Sequence, residues 1–126
     1  MIDLTHQHTR HNANIEIANK RTSIKFNGRC VAHYSTEDFA RFRGKGRIDS
    51  ESFSEIEIYK SVQPSGWYAV NMRYKPGSRA QLTRDVRMYF YGPYKELDDL
   101  QDKMIFESGR CPQYWEAAFS KAKTLE

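Results

Sequence analysis

Apolar and polar residues alternate in a series of short segments, and this alternation predicts β-strands. Side chains of a strand point alternately to its two faces, so a strand with one buried face repeats every two residues. The segments that show this pattern or a strand-like composition are 15–17, 22–26, 29–34, 55–59, 67–74 and 85–91. Asn27-Gly28 separates two of them and favours the positive φ angles of a two-residue hairpin turn.

Helical spacing follows the last of these segments. Between about Tyr94 and Ser108 an apolar stripe predicts an amphipathic helix that ends at Gly109. Its members are Leu97, Leu100 and Met104. Pro112 is suited to the first position of a second helix. The apolar face of that helix would contain Trp115, Ala118, Phe119 and Ala122.

A shorter helix is predicted after Ser35. Ser35 can cap the backbone, and Asp38 can reach back to it from three residues further on. Phe39 and Phe42 would then share one face, and Gly44 would end the helix.

The order of these elements predicts an α+β domain. We expect an antiparallel sheet of about five strands with two to three helices packed on one face. A strongly bent or partly closed sheet with the helices as plugs is the alternative. Residues 1–14 lack apolar periodicity and predict a mobile N-terminal tail, which leaves residues 15–126 as a single domain.

The segment from Trp67 to Met104 joins two aromatic strands to a helix through Tyr91-Gly92-Pro93-Tyr94. It resembles the strand–turn–helix segment of SPOR-type domains. The resemblance covers about 35 residues of the chain. Since any corner between a strand and a helix can use Gly-Pro, no function or site residue is carried over from it.

Composition narrows the class of protein. The 126 residues are 39% hydrophobic and 13% aromatic, an aromatic content that argues against a disordered chain. No apolar stretch approaches the roughly 20 residues of a membrane-spanning helix. Cys30 and Cys111 are too few for a disulfide-stapled secreted domain of this size. We therefore expect a cytoplasmic protein with free, buried thiols, although a single 30–111 disulfide stays open.

Charge alternates along the chain. Residues 1–47 carry nine basic against four acidic residues and residues 61–95 carry six against one, a net charge of +5 in each. Residues 48–60 carry one against four and residues 96–126 carry four against seven, or −3 in each. This alternation favours a protein with faces of opposite charge, which steers charged partners. Mixed charge also keeps small domains soluble, which is the simpler explanation.

Two adjacent strands place Tyr, Trp and Arg on one predicted face. If Val70, Met72 and Phe90 point to the core, the other set points outward. That set is Trp67, Arg73, Arg87, Tyr89 and Tyr91. These residue types are enriched at protein-binding hot spots, and they also stack on unpaired bases. The alternative is that another segment, such as the last helix, covers this face.

Two loops concentrate basic residues. Flexible cations of this kind can contact phosphates, although a solvated basic loop is the simpler interpretation. The candidate phosphate contacts are Arg41, Arg43, Lys45, Arg47, Arg79 and Arg84.

No catalytic or metal-binding constellation emerges. His6, His8 and His11 lie in the predicted tail, where no fixed ligand geometry is expected. Cys30 and His33 are three residues apart, which on a regular strand places them on opposite faces. Glu55 and Glu57, with Asp49 and Glu51, would form a solvated strand edge.

The sequence thus predicts a non-enzymatic partner-binding protein without cofactor or metal. It would be a small adaptor, regulator or inhibitor that docks on a larger protein or nucleoprotein assembly. A single-stranded RNA- or DNA-binding protein, using the Tyr/Arg face and the basic loops, is the alternative hypothesis.

Overall fold

A computed structural model describes residues 11–19, 22–39, 53–74 and 86–124. Its strands form one antiparallel sheet in the order β1-β2-β3-β4-β5. The elements are β1 (Ala13–Ala18), β2 (Ser23–Ser35), a 3-10 turn (Thr36–Phe39), β3 (Phe53–Gln63), β4 (Ser65–Tyr74), β5 (Val86–Tyr94), α1 (Leu97–Ser108) and α2 (Gln113–Thr124). The predicted α+β class and five-stranded antiparallel sheet are therefore confirmed. β1 begins at Ala13, inside the segment predicted as a tail, and residues 1–10 lie outside the described residues.

The predicted hairpin turn at Asn27-Gly28 is wrong. β2 runs straight through these residues, and Ala13 of β1 pairs with Gly28. The β1–β2 connection is closed instead by the backbone N–H of Asn19, which donates to the carbonyl of Thr22 at 2.8 Å. Gly28 is buried where a Cβ atom would collide with the backbone of Lys60 on β3. The glycine therefore serves a close approach of two strands rather than a turn.

Both helices pack on one face of the sheet. α2 lies over β2 and β3, and α1 lies over β4 and β5. The predicted stripes are confirmed, since Leu100, Met104 and Phe119 are at most 1% exposed. The sheet residues beneath them include Val31, Ala32, Ile56, Ile58, Trp67 and Ala69. On β4 the sequence predicts that this face points outward. The alternative interpretation, in which a helix covers this face of β4, is therefore correct for Trp67 and Ala69.

The opposite face of the sheet is buried as well. Tyr59, Val70 and Met72 on this face are fully buried. Phe26 on β2 and Tyr68 on β4 stack with ring centroids 4.4 Å apart, although β3 lies between their strands. The side chains of this second cluster thus lean together over β3. Two buried faces explain why β3 and β4 are almost entirely buried.

Several local predictions are refined. The short helix is a 3-10 turn in its described part, where the backbone N–H of Ser35 donates to Asp38 Oδ2 at 2.7 Å. β5 continues through Gly92-Pro93 to Tyr94 rather than ending before them. Both thiols are free, with Cys30 buried and Cys111 half-buried. No helix in the described ranges is long and apolar enough to cross a membrane.

A candidate binding cleft beside the helix layer

A cleft of about 490 Å³ opens where the helix layer ends on the sheet. Its floor is formed by β4 and β5, whose register places Asn71 opposite Tyr89 and Arg73 opposite Arg87. Alternation along both strands places Asn71, Arg73, Tyr89 and Tyr91 on the helix-facing side. We call this space the cleft. Thr36 and Ser54 close it on the β3 side.

The connection between the helices forms the facing wall. Glu107, Ser108 and Arg110 line it before α2, and Pro112, Gln113, Tyr114 and Trp115 line it at the start of α2. Gly109 ends α1 in the left-handed region with φ 81°, as its position in the sequence predicted, and donates to the carbonyl of Ile105 at 2.8 Å. Ser108 Oγ then accepts from the backbone N–H of Arg110 at 3.2 Å. These contacts fix the turn that carries Arg110 along the rim.

Buried polar groups of the cleft are hydrogen-bond donors. Asn71 is 3% exposed, and its Nδ2 donates to the backbone carbonyl of Glu55 at 2.8 Å and to the hydroxyl of Tyr114 at 2.9 Å. Since the Tyr114 oxygen accepts this bond, its own proton is available, and no acceptor takes it within the described part of the chain. The buried Nε1 of Trp115 has no acceptor there either. Both donors therefore lack the partners that buried polar groups normally have.

The charge of the cleft is positive. Arg73 and Arg110 line it, and neither guanidinium forms an ion pair among the described residues. Glu107 is the opposing charge, but Lys103 one turn earlier lies 3.2 Å from its carboxylate. Arg87 sits directly opposite Arg73 in the sheet, and both are exposed. Like charges at directly opposed positions of a sheet destabilise it, so this pair favours an anion nearby.

Tyrosine rings supply the remaining surface. Tyr89 is 38% exposed at the open side, and Tyr91 is half-buried below it. Burial raises the pKa of Tyr91, with Glu107 and the neighbouring phenols adding to the effect and Arg73 opposing it. Tyr91 therefore stays protonated at neutral pH and can donate a hydrogen bond. An amphipathic ring beside a guanidinium is typical of binding surfaces.

The structure brings together three of the five residues predicted as partner contacts. Arg73, Tyr89 and Tyr91 line the cleft, and Arg87 lies next to Arg73 outside it. Trp67, predicted to face outward, is only 5% exposed and packs under the helices with Lys60 Nζ over its ring at 5.5 Å. The candidate phosphate contacts Arg41, Arg43, Lys45, Arg47, Arg79 and Arg84 all lie outside the described residues.

Sequence reasoning missed a cluster of acids on the opposite face, which we call the acid cluster. It consists of Glu55, Glu57, His33, Tyr59 and Tyr74. Glu55 Oε1 lies 2.7 Å from His33 Nε2, and its Oε2 accepts from the hydroxyl of Tyr74 at 2.7 Å. Glu57 is 1% exposed and accepts from the hydroxyl of Tyr59 at 2.7 Å. For Glu55 and Glu57 the prediction of a solvated strand edge is thus wrong, because β3 is the central strand, and Asp49 and Glu51 lie outside the described residues.

Cys30 and His33 lie on the same face, contrary to the spacing argument. The register shifts between Cys30 and Ala32, so Cys30 pairs with Tyr59 while His33 pairs with Glu57. A β-bulge adds one residue to β2 and reverses the alternation. The thiol nonetheless stays protonated at neutral pH, because burial, and then the nearby Glu57, raise the pKa of Cys30 to about 12. Among the described residues no group of three or more His, Cys, Asp or Glu could hold a metal ion.

Comparisons with known proteins identify no relative of this chain. No protein-family profile matches the chain, and neither a curated protein nor a solved structure matches it. The resemblance of residues 67–104 to SPOR-type domains thus has no support from a family match.

Proposed function

We propose that this protein is a non-enzymatic partner-binding protein, a small adaptor, regulator or inhibitor that docks on a larger protein through the cleft. One observation carries the proposal: Arg73, Tyr89 and Tyr91, predicted from sequence as contacts, line one cleft whose arginines form no ion pair among the described residues. Its volume of about 490 Å³ is in the range of pockets that hold a ligand or an anchoring side chain.

The surface chemistry supports a protein partner. Tyrosine and arginine dominate hot spots because they combine a large contact area with directed hydrogen bonds. Tyr89 and Arg73 are exposed beside the half-buried Tyr91, which gives an accessible rim and a deeper floor. A partner side chain that enters the cleft would lose its water on the floor while the rim excludes solvent around it.

A quantitative affinity capture from the native host tests this proposal. The tagged full chain would be compared with Arg73→Ala and Tyr89→Ala, with and without nuclease treatment. Lys121→Ala is the matched control, because Lys121 is an exposed cation two helical turns beyond the cleft. We expect one dominant protein that survives nuclease, is lost from both cleft variants and is retained by the control.

Other outcomes of the capture would contradict the proposal. Equal capture by both cleft variants and wild type would move the docking surface away from the cleft. Enrichment that vanishes with nuclease would favour the alternative, a single-stranded RNA- or DNA-binding protein. The exposed ring of Tyr89 beside two arginines is the described feature that fits this alternative.

A further inference from the structure

The groups around the cleft are complementary to a ligand that accepts hydrogen bonds and carries negative charge. The Tyr114 hydroxyl proton and the Trp115 N–H are buried without an acceptor in the described segments. Tyr114 is 7% exposed and Trp115 is 3% exposed, so both side chains lie mostly inside the protein, and a ligand in the cleft reaches the Trp115 N–H only if the indole moves. A donor that lacks a partner in a shielded site costs free energy until a ligand supplies an acceptor.

Positive charge converges on the same space. Arg73 enters from the floor and Arg110 from the rim, and both are unpaired among the described residues. The N-terminus of α2, at Gln113 and Tyr114, also borders the cleft, and helix N-termini favour anions. Arg87, opposite Arg73, adds unfavourable repulsion that a bound anion would relieve.

The anion is compact rather than a long polyanion. Glu107 stands on the rim itself, and its carboxylate would lie close to any second negative charge beside the one bound in the cleft. A run of phosphates would place further negative charge beside Glu107 and be repelled by it. A single carboxylate with apolar neighbours avoids this repulsion, and the neighbours can pack against Tyr89.

On the basis of the proposed function, we propose that the cleft binds a single carboxylate side chain, flanked by apolar residues, from a segment of the partner protein. Arg73 and Arg110 are its counter-ions, and a planar guanidinium can hold a carboxylate through two parallel hydrogen bonds. The Tyr114 hydroxyl donates a further hydrogen bond from the wall. An aromatic or aliphatic residue beside the carboxylate packs on the Tyr89 ring.

Fluorescence anisotropy with the full chain tests this inference. The probe is a labelled octapeptide with one glutamate between two phenylalanines and otherwise uncharged residues, and its control replaces the glutamate by glutamine. We expect the glutamate peptide to bind at least about tenfold more tightly than the glutamine peptide. This is the gain in affinity expected from one hydrogen bond to a charged group. Arg73→Gln and Arg110→Gln should remove most of this preference, Tyr114→Phe should reduce it several-fold, and Lys121→Gln should preserve it.

Three outcomes would overturn the inference. The first is equal affinity for the two peptides or a preference that persists in Arg73→Gln. The second is the absence of saturable binding of the glutamate peptide below about 1 mM, the range of the weakest specific complexes. The third is tighter, Arg73-dependent binding of a single-stranded oligothymidylate, which would assign the cleft to phosphate.

A competition experiment separates this inference from the proposed function. The glutamate peptide would be added to the affinity capture from the native host. Loss of the captured partner would support both proposals. The captured partner could instead be lost with Tyr89→Ala but retained in the presence of the peptide and with Arg73→Gln. This result would support partner binding through the cleft and refute the carboxylate chemistry. Capture that ignores every cleft variant would refute the cleft as the docking site.

Discussion

The two faces of the sheet treat polar groups in opposite ways. On one face, Glu55 accepts a hydrogen bond from Tyr74 and lies within hydrogen-bond distance of His33, while Glu57 accepts a hydrogen bond from Tyr59. The carboxylates on this face therefore have hydrogen-bond donors inside the protein. On the other face, the cleft gathers guanidinium, phenol and indole donors, and the single carboxylate among its described lining residues, that of Glu107, already pairs with Lys103. Buried carboxylates that accept from neighbouring side chains help to specify a fold, whereas donors without acceptors are expected where a ligand completes them.

Removal of the central carboxylate should give the largest change in stability. Glu55→Ala leaves His33 without its partner and Tyr74 without its acceptor on a buried face. We expect the free energy of unfolding to fall by about 2–3 kcal/mol, the scale of hydrogen bonds to a charged group. Urea denaturation monitored by circular dichroism measures it.

Glu107→Ala is the matched control, because Glu107 is an exposed carboxylate of the cleft rim paired only with Lys103 in the described segments. Its effect should stay within about 0.5 kcal/mol. Equal destabilisation by the two substitutions would show that the acid cluster is not the stabilising face.

Local patterns predicted the helices well because the relevant information lies within each helix. The stripe of Leu97, Leu100 and Met104 and the terminator Gly109 need no knowledge of the rest of the chain. The face of a strand depends on what packs against it. The pattern of β4 therefore predicts an outward-facing Trp67, which the helices in fact cover.

The residues of the acid cluster and of the cleft likewise come together only through contacts between distant parts of the chain. Glu55-Ile56-Glu57-Ile58 alternates like an edge strand, and only the strand order makes it central. The extra residue of β2 at the bulge has no local signal, yet it brings Cys30 and His33 to one face. Tyr114 and Arg110 line the cleft because α2 packs on the sheet. The patterns of β4 and β5 therefore predict only the residues that form the floor of the cleft.

The acid cluster should also give stability a dependence on pH. The hydrogen bond to Glu55 raises the pKa of His33 above 6.5, an effect that Glu57 and Asp38 add to and burial opposes. Stabilisation from protonated His33 is fully present below pH 6.5 and is lost as pH rises through the raised pKa of the folded state. The difference in unfolding free energy between wild type and His33→Gln should therefore shrink above pH 6.5. A difference that grows with pH in urea titrations would contradict the pairing.

The smallest effect should be a gain in stability. Arg87→Gln removes the like-charge pair with Arg73 on the exposed floor. We expect the free energy of unfolding to rise by about 0.2–1 kcal/mol in low salt and the gain to shrink in high salt. Thermal unfolding at two salt concentrations measures it, with Arg29→Gln on β2 as a control for removal of a basic residue. A loss of stability would show that Arg87 makes a stabilising contact.

One NMR titration tests the contrast between the two faces most directly. The isotope-labelled full chain would be titrated with the glutamate–phenylalanine octapeptide while the Trp115 indole N–H and the His33 ring are observed, with Trp67→Phe used to assign the indoles. We predict that the Trp115 signal shifts saturably while the His33 signals stay in place. Shifts at His33 with none at Trp115 would place binding on the acid-cluster face and contradict the account.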